Sequence, residues 1–328
     1  MQKLGLLISV IITIFFGSCD RNSNPVSGNG KEIDWEGNYP AVNTACLDSI
    51  LCASDRFIGT AFAPSVYIMN KNGTGMHALT NQWYTFSASW SPRRWKIIFI
   101  ADTGLSNPAR GLFVMNSDGT HKKRLTPTNQ DVFGEAAWSP NGSTIAYIEI
   151  DSSVYNRGKV MLMNPDGTNI RAITNWWNGG PTKVTWSPDS RKIVFDGFKN
   201  PGSNTLYEIN ADGTGLSALF TYPESCYKAS WSPDGNFIAF ESFANIENIY
   251  YSKIFIYDFN AHRIRQITTG KSFDYNPTWS SDSKTLVFSS TPPGINSTSS
   301  LYKVDMSGSS LVRLTDSLGW DYDPSWCN

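Results

Sequence analysis

Trp231-Ser232-Pro233-Asp234-Gly235-Asn236-Phe237-Ile238-Ala239-Phe240 holds a strand end, a tight turn and a strand start within ten residues. The turn has a physical basis. Pro presets φ, Asp bonds its own backbone, and Gly takes the positive φ that closes a hairpin. The stretch is one of a series: Trp90-Ser91-Pro92, Trp138-Ser139-Pro140, Trp186-Ser187-Pro188 and Trp279-Ser280-Ser281 repeat its opening, and Trp326-Cys327 ends the series. Successive Trp residues are 48, 48, 45, 48 and 47 positions apart. Seven residues after each of the first five stands an aliphatic residue (Ile97, Ile145, Ile193, Ile238, Leu286), which runs into an aromatic (Phe99, Tyr147, Phe195, Phe240, Phe288).

A third segment follows in each unit, as in Phe113-Val114-Met115-Asn116 or Met161-Leu162-Met163-Asn164. A second turn comes next, as in Ser117-Asp118-Gly119-Thr120 or Ala211-Asp212-Gly213-Thr214. The unit closes on Leu125-Thr126, Ile173-Thr174, Ile267-Thr268 or Leu314-Thr315. Four short strands between turn signals, repeated at this period, predict propeller blades. No helical periodicity competes after residue 20. The motifs resemble the TolB-like propeller repeat, a bacterial relative of WD-repeat blades, and the resemblance runs from Phe57 to Trp326. It implies an all-β, six-bladed β-propeller of four-stranded blades. The first Asp-Gly-type turn has no Trp strand before it and the last Trp strand has nothing after it. Tyr322–Trp326 is therefore expected to be the innermost strand of the blade that begins at Phe57, so that the C-terminal strand joins the N-terminal blade and closes the ring. Sharing a blade between the chain ends removes an open sheet edge.

Composition agrees with a sheet-rich globule. Charged residues are 17% and aromatics 13% of 328 residues, with 12 Trp; disorder needs the reverse. The formal net charge of −1 shows no basic excess of the kind that nucleic-acid binding uses.

The first residues read as a processing signal. Lys3 precedes an apolar run from Leu4 to Phe16, too short to span a bilayer as a helix. Phe16-Gly17-Ser18-Cys19 resembles the bacterial lipoprotein processing box, with Phe16 in place of the usual aliphatic residue. The resemblance implies lipidation at Cys19. The expected organisation is a signal peptide over 1–19, a polar Gly/Asn/Ser-rich tether over 20–45, and the propeller over 46–328. An exported, lipid-anchored protein of the bacterial cell envelope follows, with the membrane reached by the anchor alone. Residues 46–328 number about six blades' worth, leaving no span within them for an added hydrolase domain of the dipeptidyl-peptidase kind.

Four Cys besides Cys19 allow three pairings. Aligning Ser54–Ile58 with Asp234–Ile238 gives Cys52 and Cys327 one repeat position, so a Cys52–Cys327 disulfide is the expected rivet of the seam, the alternatives being a free pair or Cys46 as the partner.

Catalytic constellations are missing from the pattern. His77, His121 and His262 fall after hairpin turns on three different blades, without metal-ligand spacing. No Gly-x-Ser-x-Gly elbow or phosphate loop is present. The Asp-Gly aspartates are explained by turn chemistry. No cofactor and no metal site is expected.

One column is polar on every blade. Three residues before each Trp stand Ser87, Glu135, Lys183, Lys228, Asn276 and Asp323, at the mouth of the central channel where propellers bind. Lys183 and Lys228, on adjacent blades, could hold a carboxylate, or the groups could satisfy one another. Nearby loops are rich in aromatics, among them Tyr84, Phe133, Trp320 and the pair Trp176-Trp177, suited to peptide or sugar recognition or to packing between blades. The leading expectation is a non-catalytic scaffold recognising a protein or peptide partner in the envelope, as the TolB resemblance implies. A carbohydrate or small-ligand receptor stacking on Trp176 and Trp177 is the alternative. A polysaccharide lyase resembling oligogalacturonate-lyase propellers is the third reading.

Overall fold

The computed structural model describes residues 48–56, 64–81, 84–102, 110–154, 157–198, 203–294, 298–316 and 318–327. Cys19, the 1–45 leader and tether, Cys46 and Phe57 lie outside them. Within them the chain forms six antiparallel blades in a ring.

Each blade is a meander whose first strand is innermost. Blade 2 is Tyr84–Trp90, Lys96–Asp102, Arg110–Asn116 and Lys123–Arg124. Blade 3 is Asp131–Trp138, Ile145–Ile150, Arg157–Met163 and Arg171–Ala172, with the two-residue strand Trp177–Asn178 added beside the third. Blade 4 is Val184–Trp186, Lys192–Gly197, Thr205–Asn210 and Ser217–Ala218. Blade 5 is Cys226–Trp231, Phe237–Ile246, Ile249–Asp258 and Arg263–Gln266, and blade 6 is Phe273–Trp279, Thr285–Thr291, Ser300–Asp305 and Val312–Arg313. Blade 1 takes its inner strand, Asp321–Trp326, from the C-terminus and pairs it with Ser49–Ser54, followed by Ser65–Asn70 and His77–Ala78. The inner strands of successive blades touch all round the ring, and Asp321–Trp326 meets the inner strands of both blade 6 and blade 2.

The repeated residues have repeated tasks. Each motif Trp faces the aliphatic residue of the next strand, as in Trp90↔Ile97, Trp138↔Ile145 and Trp279↔Leu286. Two of them also bridge blades: the Trp186 indole donates to Ala137 O at 3.2 Å, and that of Trp279 to Ser230 O at 2.9 Å. The turn Asp118 accepts both the N–H and the hydroxyl of Thr120, and Asp166 and Asp212 do the same with Thr168 and Thr214. The closing Thr has its own reason. Thr80, Thr126, Thr174, Thr268 and Thr315 each accept a third-strand N–H (Val66, Leu112, Val160, Ile254, Leu301) with the side-chain oxygen. This satisfies a buried donor where the short outer strand ends.

The seam differs from expectation in register. Its second strand is Ser49–Ser54, eight residues before Phe57. Trp326 pairs with Ile50, so Ile50 holds the aliphatic repeat position and Cys52 the place of Phe99, Tyr147, Phe195, Phe240 and Phe288. Cys327 N–H bonds Ser49 O at 2.9 Å, which sets Cys327 beside Ser49 rather than beside Cys52. Three strand residues span about 10 Å, beyond the Cα separation a disulfide bridges. The expected Cys52–Cys327 bond is not formed: Cys52 is free, and it lies buried with Cys327 in one core cluster with Ile50, Trp326 and Leu314. A network of charge closes the seam in its place. Arg56 grips the fully buried Asp321 with Nη2 at 2.6 Å and Nε at 3.0 Å and also pairs with Asp316, while Ser54 Oγ donates to Asp321 at 2.6 Å.

Candidate functional site

The innermost strand is irregular at the polar column. Its ladder slips at Phe86 in blade 2, at Gly134–Ala136 in blade 3, at Lys228–Ala229 in blade 5, at Asn276–Pro277 in blade 6 and at Asp323–Pro324 in blade 1. Bulges of this kind re-aim side chains. Lys228, Asn276 and Asp323 take left-handed φ values of 53°, 56° and 48°. Asn and Asp tolerate that region; for Lys it is strained, and such strain gathers at functional sites. In blade 3 the bulge falls on Gly134, where φ is 75° and a Cβ would lie 2.1 Å from Thr182 O. Only glycine allows that approach, and it lets Glu135 N–H bond Thr182 O at 3.0 Å and bridge to Lys183.

These strands converge the column on the ring axis. Glu135 receives two ammonium groups, Lys183 Nζ at 3.0 Å and Lys228 Nζ at 3.1 Å. Lys183 also donates to Pro277 O at 3.3 Å, across the channel on blade 6, and Lys228 to Thr182 O at 3.5 Å. Asn276 Nδ2 donates to Asp323, and Ser87 Oγ to Gly134 O at 3.1 Å. The carboxylate between the two lysines is that of Glu135 of the same chain.

Two further acids stand behind the column. Asp196 accepts Thr182 N–H, Thr182 Oγ1 and Lys183 N–H at 3.1, 2.8 and 3.0 Å. Glu241, on the second strand of blade 5, is the other. Their sequence signal is an acid directly after the second-strand aromatic (Phe195-Asp196, Phe240-Glu241), where other blades carry Ala53, Ile100, Ile148 and Ser289.

The electrostatics follow from four carboxyls around two ammonium groups. Burial opposes ionisation of Glu135, but Lys183 and Lys228 outweigh it and hold its carboxyl below the usual range. Burial, aided by the charge of Glu135, pushes Asp323 up to about 7. Burial likewise carries Glu241 to about 7 and raises Asp196. Lys228 is desolvated too, yet Glu135, Asp323 and Asp196 raise it above the usual ammonium value.

The aromatics divide. Trp177 is a packing residue: it meets Tyr207 edge-on at 4.7 Å and Phe195 at 5.6 Å, and lies against Gly197. Trp176 is half-buried, with Lys159 Nζ 4.3 Å and Arg157 5.5 Å from its ring centre. Neither is a bare stacking platform. Tyr222 packs on Phe240 and Phe255, and Phe273 on Tyr251. Tyr84, Phe133 and Trp320 remain exposed.

Exposed apolar residues gather on the mouth face. In an antiparallel meander, first-strand starts, second-to-third loops and fourth-strand ends share one face. Seven of the ten large apolar side chains exposed among the described residues stand there: Tyr84, Phe133, Val154, Ile249, Tyr250, Leu318 and Trp320. Ile249 and Tyr250 crown the long hairpin of blade 5, whose two ten-residue strands outreach every other blade. Sequence reasoning missed this hairpin, although two apolar runs separated by Glu247-Asn248 announce it. Among the described residues no group of three His, Cys, Asp or Glu is arranged to hold a metal ion, and no helix is long and apolar enough to cross a membrane.

Solved structures share the fold. TolB from Acinetobacter baumannii superposes with TM-score 0.71 at 18% identity over 85% of this chain, which spans 66% of that protein. A TolB-type protein of Agrobacterium tumefaciens gives 0.63 at 15% identity, covering 85% and 97% of the two chains. Oligogalacturonate lyase from Vibrio parahaemolyticus gives 0.56 at 14%, covering 81% and 79%. At these identities the likeness is one of fold. No curated protein matches the chain in sequence. The family described as eukaryotic translation initiation factor eIF2A matches residues 146–314, just over half of the chain. The chain is a TolB-like six-bladed propeller, and by that match it belongs to the eIF2A family.

Proposed function

We propose that this protein is an exported, lipid-anchored scaffold of the bacterial envelope whose propeller mouth, with Ser87, Glu135, Lys183, Lys228, Asn276 and Asp323 at its centre, recognises a protein or peptide partner without catalysing a reaction. One observation carries the reading: a polar centre is surrounded on the same face by exposed apolar side chains, seven of ten. Aromatic anchors round a desolvated centre are the anatomy of a protein-binding surface. The TolB fold likeness and the lipoprotein-type leader supply the envelope setting. A chain with near-equal basic and acidic counts, 27 and 28, favours a protein partner over a nucleic acid. The carbohydrate reading loses Trp177 to packing and rests on Trp176 alone. The lyase reading rests on fold likeness.

Immobilised full-length protein in detergent is exposed to native envelope extract beside a Tyr250→Ser/Trp320→Ser variant of matched melting temperature. The expected result is a protein retained by wild type and lost by the variant. Equal retention by both, or none by either, sinks the proposal.

A further inference from the structure

The axial cluster has more acceptors than donors. Lys183 and Lys228 each direct two of their three hydrogens at Glu135 and at the carbonyls of Pro277 and Thr182. Asp196 has its own neutral donors. Asn276 is left short: it is only 7% exposed, and its Oδ1 has no hydrogen-bond partner. The amide cannot turn to cure this. Its Nδ2 is committed to Asp323, and exchanging the two ends would set one oxygen against another. Its backbone is held at a left-handed φ of 56°. A buried acceptor without a donor costs about 1–3 kcal/mol, and no described group of the chain donates to this oxygen.

We propose that the axis of the ring is a receptor for one lysine ammonium presented by a partner protein, bound between the Asp323 carboxylate and the side-chain oxygen of Asn276. The inference rests on the protein-binding reading of the same mouth and names the chemistry of the group recognised. An ammonium brings three hydrogens and no acceptor, which is what this corner lacks. It also offsets the excess of carboxyls, Glu135, Asp196, Glu241 and Asp323 against Lys183 and Lys228. Asp323 is partly exposed, so the group is reached from the mouth. The exposed apolar side chains of the face suit the four-carbon stem of a lysine entering among them.

The test titrates full-length protein in detergent with N-acetyl-lysine-N-methylamide, followed by calorimetry at pH 6 and pH 8. Its norleucine counterpart and calcium chloride serve as comparators. The expected result is saturable binding of the lysine probe alone, tighter at pH 8 because Asp323 is then ionised. Binding should weaken at least tenfold in Asp323→Asn and in Asn276→Ser, with melting confirming that both variants are folded. Equal binding of the norleucine probe, no saturable binding, indifference to both substitutions, or preference for calcium would overturn it. If the partner captured by wild type is held equally by Asp323→Asn, the scaffold reading stands and the ammonium site falls.

Discussion

Lys228 and Glu135 lie 93 residues apart in sequence and two blades apart in the ring, and their charged groups meet at 3.1 Å. Lys183, on the blade between them, takes the other carboxylate oxygen. One side chain therefore ties three consecutive blades together at the axis. Removing one member of a buried pair is costly because it strands the other charge. Glu135→Gln strands two ammonium groups and should destabilise the fold by about 3 kcal/mol. Urea unfolding followed by tryptophan fluorescence measures this; a loss under about 1 kcal/mol would mean the lysines find other partners.

The seam clasp predicts a second large effect. Asp321 is fully buried and Arg56 is its cationic partner. Arg56→Met should cost about 3 kcal/mol, whereas Lys71→Met, which breaks an exposed pair with Asp48, should cost less than about 1 kcal/mol. Melting curves of the two variants side by side decide it.

Trp279 is fully buried and bonds the neighbouring blade through its indole. Trp279→Ala should cost about 3–5 kcal/mol by cavity formation. Trp279→Phe should recover most of this, leaving about 1 kcal/mol for the lost bond to Ser230 O. Chemical denaturation of the pair separates packing from hydrogen bonding.

Acid should favour the axial cluster. Asp323 and Glu241 are held near 7 in the folded protein, against about 4 when unfolded. Between those values the folded state holds protons the unfolded state has released, so their contribution to stability is full below about pH 4 and fades as pH rises through 7. Turn aspartates such as Asp118, held low by the Thr120 hydroxyl, act in the opposite direction. The difference between wild type and Asp323→Asn is therefore the observable. The variant should gain on wild type from pH 5 to pH 8; parallel curves would contradict the assignment.

The thiols give a chemical test of the seam. Cys52 and Cys226 are buried and free, and burial raises both thiols. Iodoacetamide should leave both untouched in the native protein and label both in guanidinium without reductant. A Cys52–Cys327 peptide in the non-reduced digest would refute the register.

The ring was legible in the sequence because its signals are local and repeat in phase. A Trp-Ser pair, a turn after it and an aromatic at fixed spacing state a hairpin each time, and five statements correct one another. The seam was misread because it breaks the pattern at the informative place: Cys52 stands where the other blades have an aromatic, so Phe57 drew the alignment eight residues too far. The axial column was visible as six polar residues at one repeat position. Its pairing was not, since Lys228 reaches Glu135 only because a bulge and a left-handed backbone re-aim it. Nor did spacing reveal that Trp177 lies on Tyr207 and Phe195, for adjacency in sequence says nothing about which neighbour covers a ring.

The joining of both chain ends in blade 1 imposes an order on biosynthesis. Ser49–Ser54 is among the first strands made, and its inner neighbour Asp321–Trp326 is the last. At about 5–20 residues per second, some tens of seconds separate the two. Throughout that interval the strand carries an uncovered row of backbone donors and acceptors, of the kind that recruits other chains. Blades 2 to 6 can each finish as they emerge, but the molecule becomes a ring only when its final residues arrive.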